Sequence, residues 1–181
     1  KWIRDNVNEN MNVLEVACGA GGMLYHLQND GFNHLTGYDY SPGAIEAAQD
    51  INRTISGHIH FYIDNAYKPE RKEKYDVIIW VNGMYHLENF SLDDFFEEHI
   101  TMLNENGYML FDMVDSKYND IPNNQFRTDC WYKDWEKIPT EYKLRLSEDE
   151  VVYVAQKYNA KLIAVYEINE LVPRKAYVFK I

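Results

Sequence analysis

The chain has 181 residues, 46% of them hydrophobic and 26% charged, with a formal net charge of −11 and a pI near 4.9. That length supports one domain with a full core, and the composition excludes a disordered, collagen-like or coiled-coil chain. The acidity argues against nucleic acid and against an anionic membrane as partners, because both demand a cationic footprint.

Elements alternate in type along the chain. Residues 1–8 read as the end of a helix, and 12–18 (NVLEVAC) as an apolar strand. Glycines follow, then a helical stretch from about Met23 to Asn29. A second strand, 34–39, ends at Asp39, and Ser41-Pro42 is an N-cap and first-turn signal for a helix through about Arg53. A third strand, 58–63, ends at Asp64, and 75–81 is the clearest buried strand. Ser91 and Asp94 form a capping-box-like start for a helix to about Asn104, stopped by Asn106-Gly107 before a strand at 108–113. Ser147 and Glu150 form a second capping box before a helix at 148–158. Strands at 161–168 and 175–181 close the chain, joined by a link too short for anything but antiparallel pairing.

Strands alternating with helices imply parallel pairing with right-handed crossovers. The expected fold is an α/β three-layer sandwich: a mostly parallel, twisted sheet of about seven strands with an antiparallel C-terminal hairpin. Ligands of such sheets lie at the carboxyl ends of the strands. Residues 1–181 read as a single domain, interrupted by a long excursion at 114–146 that reads as a substrate lid. The excursion carries Tyr118, Phe126, Trp131, Tyr132, Trp135 and Tyr142, and its six acids and six bases balance.

Two cysteines, Cys18 and Cys130, are too few for a disulfide framework or a metal site. They read as reduced thiols of a cytoplasmic protein. No apolar run reaches the length of a membrane span, and no signal-peptide pattern is present. The chain begins with Lys1 rather than Met, so a preceding segment in a longer polypeptide is expected. His58 and His60 share a strand face, but no third ligand accompanies them, so no metal is expected.

The chemistry concentrates after the first strand, in Glu15-Val-Ala17-Cys18-Gly19-Ala-Gly21-Gly22. Glycines between a strand and a helix let the backbone approach a ligand, and the helix start offers free N–H groups. Asp39 ends the second strand 20 residues beyond Gly19, where a carboxylate can accept both hydroxyls of a ribose. An adenosine-like ligand follows. The dinucleotide fingerprint is incomplete, since Leu24 stands where the third glycine belongs, and no Gly-Lys-Ser/Thr follows for a P-loop.

The order acid-x-small-x-Gly-x-Gly resembles the first motif of the class I S-adenosylmethionine-dependent methyltransferases. Further stretches preserve the order. Leu35 to Ala47, around Asp39 and Ser41-Pro42, resembles the family's second motif, and Phe61 to Ala66 its third. Tyr75 to Leu87 resembles the fourth strand and its loop, and Gly107 to Asp112 the fifth strand. Residues 147–181 resemble its last helix and terminal hairpin. Ala17 departs from the usual glycine.

The resemblance implies roles. Glu15 holds the methionine amino group, and the backbone from Ala17 through Cys18 and Gly19 to Gly21 lies along the cofactor. Asp39 takes the ribose hydroxyls and Tyr40 flanks the adenine. Asp64 and Asn65 meet the adenine edge with Ala66 beside it, and Asn82 faces the methionyl end. His86, after the fourth strand, reads either as a base or substrate contact, since an imidazole with its ordinary pKa of about 6.5 suits proton transfer, or as a structural histidine packing on the helix that follows. Tyr85 is expected to shape the methyl pocket. Asp112 reads either as a substrate contact or as a solvated strand end.

The expected acceptor is a small molecule or sugar-like metabolite, methylated on oxygen rather than nitrogen. Trp131, Tyr132 and Trp135 suit the apolar face of a sugar or an aromatic ring. Two other readings stay open: a non-catalytic cofactor-binding or interaction module of a larger protein, and a nicotinamide-dependent oxidoreductase. The sequence leaves the oligomeric state undetermined.

Overall fold

A computed structural model of the chain describes residues 1–116, 144–168 and 174–181. The elements are α1 (Trp2–Asn6), β1 (Asn12–Val16), α2 (Gly22–Asn29), β2 (His34–Asp39), α3 (Pro42–Thr54), β3 (His60–Ile63) and β4 (Tyr75–Trp80). A single 3-10 turn at Met84–His86 follows. Then come α4 (Leu92–Ile100), β5 (Leu103–Val114), α5 (Glu148–Lys157), β6 (Lys161–Ile168) and β7 (Arg174–Lys180). The sheet has seven strands in the order β3-β2-β1-β4-β5-β7-β6. β1 pairs parallel with β2 and β4, and β2 pairs parallel with β3. β6 and β7 are antiparallel. Among the described residues, no helix is long and apolar enough to cross a membrane.

The backbone divides into two compact units, Lys1–Trp80 with Glu97–Met109, and Val81–Phe96 with Leu110–Ile181. In the first, β1 and β4 are buried on both faces, which their continuous apolar runs demand. Val13, Leu14, Val16, Val77, Ile78 and Trp80 are all fully buried. Buried His99 meets the Tyr38 hydroxyl at 2.7 Å, so neither polar group is stranded in the core. In the second unit the core is aromatic. Phe111 stacks on Phe179 at 5.7 Å and meets Phe95 edge-on at 5.5 Å, while Phe96 stacks on Tyr158 at 5.0 Å. Each such ring removed from water contributes roughly 1.5–3 kcal/mol.

The three helix starts read from the sequence are present. Ser41 Oγ accepts from Ala44 N–H with Pro42 in the first turn. Ser91 and Asp94 cap α4 reciprocally, and Ser147 with Glu150 does the same for α5. One boundary differs. α4 stops at Ile100 and β5 already begins at Leu103, so Asn106-Gly107 lies inside a strand with Asn106 at φ 62°. Leu103 fits helical spacing, but an apolar residue at a helix end serves a strand start equally well. The lid expectation falls mostly on 117–143, outside the described residues. The return is described: Leu146 N–H donates to Val114 O, and Leu144 N–H to Tyr85 O.

Candidate functional site

β1 ends at Val16 because Ala17 turns to φ 52°, the left-handed region that favours glycine. The chain then passes through Gly19 and through Gly21 at φ 82° before α2 starts. A Cβ on Gly21 would lie 2.6 Å from Phe61 Cζ, so the tight turn depends on glycine there. Gly37 on β2 was not singled out from the sequence, although a glycine inside a strand often marks close approach. Its missing Cβ leaves room for Leu24 Cδ1 at 2.7 Å and Cys18 Sγ at 2.9 Å. The Cys18 side chain therefore fills the gap behind the turn. Burial and the carboxylates of Glu15 and Asp39 push its thiol pKa up, which makes it a packing group and not a nucleophile.

Asp39 organises the turn from the end of β2. Its Oδ2 accepts from Gly19 N–H at 2.8 Å and its Oδ1 from Ser41 N–H at 2.8 Å. A carboxylate has about four lone-pair positions, so acceptor capacity remains for hydroxyls. Tyr40 follows at 77% exposure, an open aromatic face beside that carboxylate.

Glu15 is the electrostatic anomaly of the first unit. It is 7% exposed, and its Oε2 has no hydrogen-bond partner among the described residues. Burial, with repulsion from Asp39, raises its pKa from 4.5 to about 8, while a backbone hydrogen bond from Leu24 opposes the rise. A buried acid left with an orphaned oxygen fits an ammonium group that is supplied from outside.

Asp64, at the end of β3, is bonded within its own loop. Asp64 Oδ1 accepts from the N–H groups of Asn65 (2.8 Å) and Glu70 (3.0 Å), and Oδ2 from Arg71 N–H (3.2 Å). Asp64 thus closes the loop after β3. Asn65 is exposed and its Oδ1 accepts from Tyr67 N–H, with Ala66 buried next to it.

In the second unit, Asn82 takes φ 61° after β4. Its N–H donates to Asp112 Oδ1 at 2.9 Å, and its Oδ1 accepts from the Tyr85 hydroxyl at 3.2 Å. Tyr85 is 1% exposed, and Arg174 Nη1 donates to its oxygen at 2.9 Å. Arg174 Nε also lies 3.3 Å from Asp112 Oδ2. Asp112 is 0% exposed, which corrects the solvated-end alternative; burial raises its pKa to about 6, opposed by Asn82 N–H, Arg174 and Tyr85. His86 is exposed, its ring edge-on to Tyr85 at 4.7 Å. Arg174 escaped sequence reasoning because nothing local marks it.

A glycine turn after β1, an acid closing β2 and an unmatched buried acid on β1, carried on this strand order, define the Rossmann-like class of S-adenosylmethionine-dependent methyltransferases. A methyltransferase-domain family model matches residues 3–161, and the chain belongs to that family. It is similar to the demethylmenaquinone methyltransferase of Leptospira interrogans, 28% identical over 94 residues that cover 49% of this chain and 38% of that one. It is also similar to EEF1A lysine methyltransferase 2 of Danio rerio, 38% identical over 52 residues that cover 28% of this chain and 22% of that one. The chain thus spans well under half the length of these curated relatives. Among solved structures, an S-adenosylmethionine-dependent methyltransferase from Methanosarcina mazei matches with a TM-score of 0.78 at 16% identity, covering 98% of this chain and 95% of that one. Magnesium protoporphyrin IX methyltransferase from Synechocystis PCC 6803, with bound S-adenosylhomocysteine, matches with a TM-score of 0.75 at 13% identity, covering 99% of this chain and 78% of that one. At such identities the likeness carries the fold, and the family match carries the class and its cofactor.

Proposed function

We propose that the protein transfers a methyl group from S-adenosylmethionine to a small-molecule acceptor, at oxygen. The orphaned oxygen of Glu15 is the observation that carries the cofactor part. When bound, the cofactor supplies a methyl group activated by a sulfonium. Glu15 then ionises to bind the ammonium of the methionyl end. Asp39 accepts the ribose hydroxyls while its bonds to Gly19 and Ser41 hold the turn in place. Tyr40 covers one face of the base, and Asp64 and Asn65 meet its edge with Ala66 beside it, on a loop that Asp64 also holds closed. Asn82 meets the methionyl end. His86 takes the proton that an acceptor hydroxyl must lose, and orientation supplies much of the remaining rate.

The quinone and porphyrin named in two of the similar methyltransferases support an acceptor of this size. The likeness to a lysine methyltransferase makes a protein acceptor the competing outcome. Domain 1–181 with its 114–146 segment as substrate cover completes the reading.

Calorimetric titration with S-adenosylhomocysteine tests it. Asp39→Ala should weaken binding by roughly 1–3 kcal/mol, the scale of lost hydrogen bonds to a charged group. Unchanged affinity in a folded variant would sink the ribose assignment, and NADH binding without any response to S-adenosylhomocysteine would sink the whole reading. Tight binding with no turnover on quinol, sugar or protein acceptors would favour a non-catalytic module.

A further inference from the structure

Arg174 opens β7 with its side chain only 11% exposed. It reaches two groups at once: the Tyr85 oxygen at 2.9 Å and Asp112 Oδ2 at 3.3 Å. Both lead to Asn82. Tyr85 donates to its side chain at 3.2 Å, and Asp112 accepts its N–H at 2.9 Å. The closed circuit joins the turn after β4, the C-terminal end of β5 and the start of β7. At its centre stands Asn82 with φ 61°, a left-handed state that asparagine adopts more readily than other side-chain-bearing residues. Stability alone does not call for this arrangement, because apolar side chains of similar volume commonly serve a buried core at least as well as an ion pair. What the circuit adds is a defined conformation of residues 82–86.

We propose that Arg174 is a positioning residue for methyl transfer: from the terminal hairpin it clamps Tyr85 and Asp112, and through them sets Asn82 and the turn that presents His86. The inference rests on the proposed role of Asn82 at the methionyl end. It requires arginine in particular, since a guanidinium can donate to the phenol oxygen through Nη1 while its Nε stays within ion-pair range of the carboxylate, a reach that one compact ammonium does not reproduce.

The test is calorimetric titration of the full chain with S-adenosylhomocysteine, paired with thermal melts. The variants are Arg174→Lys, Tyr85→Phe and the two combined. Arg174→Lys keeps a cation opposite Asp112, so it should melt close to the wild type yet bind about tenfold more weakly; Tyr85→Phe should lose a similar factor. The combined variant should bind no more weakly than the weaker single one, because both act through one hydroxyl. Single variants that bind within about twofold of the wild type, or losses that multiply in the combined variant, would overturn the proposal. A wild-type chain that fails to bind at all would overturn the cofactor reading, and the proposal with it. That outcome is separable because it appears before any substitution.

Discussion

Two buried carboxylates show what each unit is built for. Asp112 is the more buried, at 0% against 7% exposure, yet its pKa rises only to about 6 while that of Glu15 rises to about 8. Burial penalises both. The difference lies in their neighbours. Asp112 is met by a backbone N–H, a guanidinium and a phenol, all from its own unit. Glu15 has one backbone donor and a second acid, Asp39, that repels it. The second unit has satisfied its own charge. The first has left an acid, held protonated by burial, for a ligand to satisfy.

Removing the internal partner should have the largest effect. Arg174→Met leaves the Asp112 carboxylate buried without its cation and should cost about 3 kcal/mol in urea denaturation. Adding Asp112→Asn should recover part of that loss. A second substitution that only adds further destabilisation would show that the pair is not the unit that matters.

Glu15→Gln should do the reverse. The wild-type Glu15 ionises at its ordinary 4.5 in the unfolded chain but holds its proton to about 8 when folded. Between those values the folded state binds more protons, so this group makes stability fall as pH rises through the window and level off above it. Melts at about pH 5 and pH 9 should diverge more for the wild type than for Glu15→Gln. The same variant should bind S-adenosylhomocysteine roughly 1.5–3 kcal/mol more weakly, having lost a charged acceptor. Equal pH slopes for the two proteins would remove the contrast between the carboxylates.

The smallest expected effect concerns the turn itself. Ala17 sits at φ 52°, where a Cβ costs energy, so Ala17→Gly should stabilise the chain by roughly 0.5–1 kcal/mol after the greater freedom of unfolded glycine is offset. A lower denaturation midpoint would mean that the alanine methyl contributes packing worth more than the strain.

Much of this was legible in the residues. Alternating apolar runs, the Ser41, Ser91 and Ser147 caps and the short link before β7 are local signals, and they determine elements and strand direction by propensity and sterics. The glycine turn and Asp39 also declare themselves, because their spacing comes from a strand and helix of ordinary length. The β5 start, the closeness of Gly37 to Cys18 and the role of Asp64 as a loop clasp did not show, since each depends on which backbone comes alongside. Arg174 and Tyr85 lie 89 residues apart, so no window of sequence joins them. Sequence by itself determined the fold and the acids available to a cofactor. Only the tertiary structure decided which acid would be matched from within and which would be left alone, because desolvation and pairing depend on neighbours that the chain assembles only by folding.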